Sequence, residues 1–250
     1  MLLVIVYAKQ KVEFRMYPYA RGKYIAICEG DDYWTDPLKL QKQVDFMEKH
    51  PECSACYHST ELFDVQLKKK TEVIRTFKET YILPEDKLFF FVGEVAPIVS
   101  LMFVKEYMKD PPGFYYESPV IDIPLALILS CHGRIGYIDE VMAVRNYWVP
   151  NSWTKKFNEE SGIDGKVSHF KAMIKLLYDF NTYSKQKYDL QVRKIILQFR
   201  YEMLRLQGKY PFHDKEFREF FHTFRVFDRI KIRISYKMPK LIEKVRNAFS

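Results

Sequence analysis

The chain of 250 residues is 48% hydrophobic and 29% charged, a balance that excludes a mainly disordered protein. Nine Gly and twelve Pro exclude collagen-like and low-complexity classes, and four cysteines are too few for a disulfide scaffold. The net charge of +8 is uneven, because residues 225–250 hold eight Lys/Arg against Asp228 and Glu243 and so carry +6 of it.

The longest apolar run, residues 2–8, falls far short of the ~20 residues that cross a bilayer. It also lacks the basic flank and cleavage site of a secretory signal, so a cytoplasmic location with reduced thiols is expected. Residues 24–28 form a continuous apolar run, as in a strand buried on both faces, and end in Glu29-Gly30-Asp31-Asp32. A helix start follows, with Asp36 able to hold free N–H groups and Pro37 at the first helical position. Leu40, Val44 and Met47 give that helix an apolar face, and Pro51 ends it. Residues 53–59 predict a second strand, 68–70 a solvated loop, 84–92 a helix and 98–104 a buried strand. A helix over 120–132 is closed by Gly133. Two short strands, 135–138 and 141–147, come next. This alternation defines an α/β domain over 1–150. A loop or linker covers 151–165. Apolar residues then recur at three- and four-residue steps (Phe170, Ile174, Leu177; Ile195, Phe199, Met203, Leu206). Residues 166–250 are therefore a helical, basic region, broken at 208–211 and at Pro239.

Acidic residues at the C-terminal end of a parallel strand stand where open α/β sheets bind ligands. Glu29, Asp31 and Asp32 offer hard oxygens suited to Mg²⁺ or Mn²⁺, an ion usually shared with a substrate's phosphates. The same spacing also suits a turn that only caps the next helix. His50, Cys53, Cys56 and His58 hint at zinc. On a strand, however, residues three apart point to opposite faces, which favours a buried, reduced strand.

The stretch from Ala20 to Phe46, through Tyr24-Ile25 and Gly30-Asp31-Asp32, resembles the middle of family 2 glycosyltransferases. In that family a strand and turn of the form G-x-Y-I-x-x-x-x-G-D-D carries the Asp-x-Asp metal motif of the GT-A fold. The resemblance implies an α/β, GT-A-like nucleotide-diphospho-sugar transferase, with a mixed sheet flanked by helices and a helical C-terminal region. It implies that Asp31 and Asp32 hold a divalent cation, Mn²⁺ or Mg²⁺, with Glu29 where the motif's first Asp falls. More loosely, 96–103 resembles the acceptor-side strand, and 118–127 the segment bearing the catalytic carboxylate. Asp122 is then the implied general base, taking a proton from an acceptor hydroxyl while the sugar carbon inverts. On its residues alone, Asp122 reads as a first-turn acid favoured by the helix dipole. The loop 151–156 resembles a mobile segment of the family, which implies Trp153 over the donor sugar and Lys155 or Lys156 at the diphosphate.

Two departures stand out. Only twenty-eight residues precede Glu29, where relatives carry the base-binding strands and helices, so much of the N-terminal nucleotide-binding half is expected to be absent. Where many relatives carry Tyr-Arg followed by His, this chain has Val144-Arg145-Asn146-Tyr147-Trp148, leaving Arg145 as a donor-binding candidate. The basic tail suits an anionic membrane surface, or a helix packed on the domain, and no nucleic-acid motif is present. The expectation is a cytoplasmic enzyme, peripheral on the inner face of the membrane. It would move a sugar from a nucleotide-diphosphate donor to a glycan or lipid-linked acceptor in cell-envelope polysaccharide synthesis. A non-catalytic truncated remnant and a basic membrane-binding module are the other open readings.

Overall fold

The computed structural model describes residues 3–7, 17–84, 96–209, 215–222, 226 and 229. Its contacts divide the chain into two units, Met1–Glu160 with Thr182–Lys185, and Ser161–Asn181 with Gln186–Ser250. The helix expected over 84–92, apart from Pro84, and nearly all of the basic tail, including the break at Pro239, lie outside the described residues. No described helix is long and apolar enough to cross a membrane.

Among the described residues the first unit is a mixed α/β structure built on an eight-stranded sheet: β1 (Leu3–Tyr7), β2 (Tyr24–Glu29), β7 (Met102–Val104), β4 (Cys53–Asp64), β8 (Arg134–Tyr147) and β3 (Tyr33–Trp34) in that order, with β5 (Lys69–Ile74) on β4 and β6 (Tyr81–Ile82) on β8. The opening apolar run supplies β1 (Leu3–Tyr7), which lies parallel to β2 (Tyr24–Glu29). On its other side β2 runs antiparallel to β7 (Met102–Val104), the remainder of the expected 98–104 strand being a tight 3-10 turn, Ile98–Ser100, after Pro97. Tyr24 to Ile27 are buried, as their unbroken apolar pattern requires.

At the middle of the sheet, β4 (Cys53–Asp64) is longer than expected and forms a hairpin with β5 (Lys69–Ile74). Lys69 and Lys70, expected in a loop, begin β5, and the reversal falls at Lys68 with its φ of 51°. Parallel to β4 runs β8 (Arg134–Tyr147), one strand where two were expected. The break in the apolar pattern has a physical cause. His58 pairs with Ile138 and Ser59 with Val141, so Asp139 and Glu140 form an outward bulge within a continuous strand.

Helix α1 (Lys39–Lys49) begins two residues later than Pro37 suggests. The Asp36 carboxylate still accepts the Leu38 N–H at 2.8 Å and pairs with Lys42 at 2.8 Å. Its fully buried face is Lys39, Gln43 and Met47, whereas Leu40 and Val44 pack at the flank of a core containing Tyr24, Cys56, Met102 and Met142. A short helix α2 (Gly113–Glu117) precedes α3 (Asp122–His132), which is buried nearly all round from Pro124 to Ser130. Ser54 Oγ on β4 donates to Leu129 O at 2.7 Å. Gly133 does end this helix, yet with extended backbone, φ 176°. Glycine is needed there for room. A Cβ would lie 2.8 Å from both Glu52 O and Ser54 N. A short helical turn α4 (Trp153–Lys155) follows β8 and runs on into a π-turn, Lys156–Glu160.

The second unit holds α5 (Gly162–Tyr183, its last two residues counted with the first unit), α6 (Asp189–Leu206) and α7 (Lys215–His222). Phe170 on α5 and Phe199 on α6, each from an expected apolar stripe, meet at 5.4 Å. The fully buried stripe of α6 is Val192, Ile196 and Tyr201, rotated from the expected Ile195, Phe199 and Met203. Phe217 and Phe221, four apart, are buried among the described side chains of α7. The chain breaks at Gly208, in the left-handed region at φ 67°.

Candidate functional site

The acids of the 29–32 segment are placed by the end of one strand and the start of the next. β2 delivers Glu29, and the turn closes through the Asp32 N–H on Glu29 O at 3.1 Å. The chain then enters β3 (Tyr33–Trp34), antiparallel to β8 with Tyr33 opposite Val144 and Trp34 opposite Ala143. That pairing brings the end of β8 against the turn. The Asn146 N–H donates to Asp32 Oδ1 at 2.8 Å, and Asn146 Nδ2 donates to Asp31 O.

Five of the six site residues expected from sequence share one electrostatic neighbourhood. Burial, then Asp32, Asp31 and Asp122, push the Glu29 carboxyl up to about 8, against the pull of Arg145. Asp32 rises to about 6 through burial and Asp31, while the Asn146 N–H and Arg145 pull it down. Asp122, first residue of α3, is exposed, and desolvation of its carboxyl raises its pKa. The Ile123 N–H, 2.9 Å from Asp122 Oδ1, and Arg145 work in the opposite direction. Desolvation therefore outweighs the depression that a first-turn position favours. Asp31 is exposed.

Trp153 is 48% exposed and stacks on Phe157 at 4.9 Å. Lys155 pairs with Glu159 at 3.9 Å and Lys156 is exposed.

Among the described residues no three His, Cys, Asp or Glu side chains converge as a ready metal-holding group. The donor chemistry of the turn nevertheless fits a hard cation. Burial first, and then the charge of neighbouring carboxylates, raise Glu29 and Asp32, and a divalent ion would offset both effects by favouring the ionised forms. One or two carboxylates, with water and substrate phosphates supplying the remaining oxygens, is an ordinary way to hold Mg²⁺.

Sequence reasoning missed two features. Asn146 carries no local signal, because its part depends on cross-strand register. The other is an interior polar group beside Trp34. Lys39 Nζ donates to Gln43 Oε1 at 2.6 Å and sits 4.2 Å from the Trp34 ring centre, while Gln43 Nε2 donates to Ser100 O at 2.9 Å. Burial lowers the Lys39 pKa to about 8. His58, with Nδ1 2.8 Å from Ser59 O, is lowered to about 3 by burial and then by Lys39. The four-residue steps 39, 43 and 47 would have revealed this face had charge not argued against burial. Cys53 and Cys56 are buried free thiols, each pushed up to about 12 chiefly by burial.

The fold is thus a mixed sheet with helices packed on it, and its carboxylates collect where β2 ends. No protein-family model matches the chain. Over 39 residues, 16% of its length, it is 67% identical to uncharacterized proteins of Mycobacterium bovis and Mycobacterium tuberculosis, and spans 11% of theirs. Among solved structures, S. aureus TarS 1–349 in complex with UDP-GlcNAc is similar at a TM-score of 0.48 and 12% identity. That match covers 85% of this chain and 55% of the TarS chain. The complex of the same fragment with UDP gives 0.47 and 10%, over 85% and 54%. The chain therefore spans about half of that TarS fragment.

Proposed function

We propose that this chain belongs to a glycosyltransferase of the GT-A type, moving a sugar from a nucleotide-diphosphate donor to a glycan or lipid-linked acceptor. The supporting observation is the gathering of Glu29, Asp31, Asp32, Asp122 and Arg145 into one field, from three segments far apart in sequence. The resemblance of residues 20–46 to family 2 glycosyltransferases supplies the reaction class. Asp31 and Asp32 would hold Mn²⁺ or Mg²⁺, which when bound supplies positive charge for the departing diphosphate.

The chain's own residues have separable tasks. Asp122 takes the proton of an acceptor hydroxyl as that oxygen bonds to the anomeric carbon. The carbon–phosphate oxygen bond breaks with its electron pair leaving on the diphosphate, and the carbon inverts. A carboxyl raised above the ordinary aspartate value suits this task, being a better base once ionised. Arg145 moderates the acids and can meet a phosphate oxygen, and Trp153 offers an exposed face to a sugar ring. The basic C-terminal segment would hold the enzyme on the anionic inner face of a membrane during envelope polysaccharide synthesis.

Isothermal titration of the full chain with UDP in the presence of Mn²⁺ tests the reading. Cation-dependent binding is expected, and Asp122→Asn should retain it while transfer falls roughly 10²- to 10⁴-fold. Binding that ignores the cation, or none at all, overturns it.

A further inference from the structure

From the geometry at the end of β8 we infer that Asn146 is a positioning residue, fixing the aim of the Asp31 and Asp32 carboxylates. The inference rests on the proposed reading of that turn as the cation and diphosphate site. The β3–β8 ladder reaches Tyr33 opposite Val144 and goes no further. Beyond that pair the Asn146 N–H needs an acceptor, and Asp32 Oδ1 meets it at 2.8 Å. A side-chain carboxylate therefore extends the ladder by one bond. The Asn146 side chain, through Nδ2, holds the carbonyl oxygen of Asp31.

Backbone and side chain of one residue thus grip the turn on both sides of the Asp31–Asp32 peptide. The consequence is a division of labour between the acids. Asp32 turns Oδ1 toward β8 and leaves Oδ2 as the oxygen not engaged there. Asp31 is tethered only through its main chain, and its carboxylate stands exposed. Asn146 touches neither cation nor phosphate in this arrangement; it acts by setting the angle at which the two carboxylates emerge. Groups that orient a metal's ligands characteristically change affinity without being ligands.

The test titrates the full chain and Asn146→Ala with Mn²⁺ alone, then with UDP in Mn²⁺, and records thermal unfolding of both. The alanine variant removes the Nδ2 donor and keeps the backbone N–H. Mn²⁺ affinity should fall about ten- to a hundredfold, with the melting temperature nearly unchanged, a combination that a merely structural role would not produce. Equal Mn²⁺ affinity in the two proteins overturns the inference and leaves the proposed function standing. If the wild type binds neither Mn²⁺ nor UDP, the proposed function falls, and the inference with it. Should Asn146→Ala fail to fold, Asn146→Asp keeps the size and loses the donor. Its added charge alone would tighten Mn²⁺ binding, so weaker binding supports the inference and equal or tighter binding overturns it.

Discussion

Two polar groups lie close together along the first fifty-eight residues, and the protein treats them in opposite ways. Around the 29–32 turn, Glu29, Asp31 and Asp32 share a field with Asp122, and Arg145 is the cation set against them. Around Trp34, Lys39, Gln43 and His58 are closed off from water, and His58 Nε2 is the one atom of the three side chains that lacks a hydrogen-bond partner. Within the interior group Lys39 and Gln43 are satisfied by hydrogen bonds and by the face of an indole ring. The turn keeps the Glu29 and Asp32 carboxyls half-buried and beside one another, at a cost in stability that a purely structural turn has no reason to bear. The contrast sets the proposed site apart from scaffolding.

The sharpest way to break the contrast is Asp31→Asn. Cation-dependent UDP binding should weaken roughly a thousandfold, several kcal/mol, measured by titration calorimetry, with little change in unfolding temperature. On the interior side, Gln43→Leu strips the Lys39 ammonium and Ser100 O of their partner at once. Urea unfolding should show a loss of about 2–3 kcal/mol, with UDP binding altered far less.

Two smaller effects depend on pH, with opposite signs. Lys39 has its folded pKa lowered to about 8, below its ordinary value, so the unfolded chain binds more protons above that point. Stability from this residue should therefore rise by about 1–2 kcal/mol between pH 8 and pH 10.5, and Lys39→Met should flatten that rise. Glu29, raised to about 8, acts in the other direction, its contribution being present at pH 4 and lost as pH climbs through 8. Without cation, Glu29→Gln should match the wild type near pH 4 and melt about 2–4 °C higher at pH 8. Added Mn²⁺ should narrow the gap by stabilising the wild type. A variant that melts lower at pH 8 would remove the claim of charge crowding.

The sequence already carried the strand, turn and helix of residues 24–49, because a buried strand, an acidic turn and a proline-led start are all local signals. The rotation of α1 was hidden. Lys39 and Gln43 face the interior with Met47, and nothing along the chain announces that an ammonium will find an indole ring to lie against. The unity of β8 was concealed by Asp139 and Glu140, whose polarity marks a bulge and not an end. Of the site, the acids at 29–32 are adjacent in sequence. Their meeting with Asp122, on α3, and Arg145, on β8, is a product of the tertiary fold, and it was the family resemblance, not periodicity, that singled those two residues out. Asn146 needed the register itself.

Gly133 has a reach beyond its own position. It sits where α3 abuts the start of β4, with backbone atoms of Glu52 and Ser54 so near that even a methyl group has no space. From there the helix runs eleven residues, about 16 Å at 1.5 Å per residue, to Asp122 at its far end. Close-packed interiors yield little sideways, so extra bulk at the glycine would drive the helix lengthwise like a pushrod. The carboxyl proposed as the general base would then be displaced from the opposite tip, by a change that never comes near it.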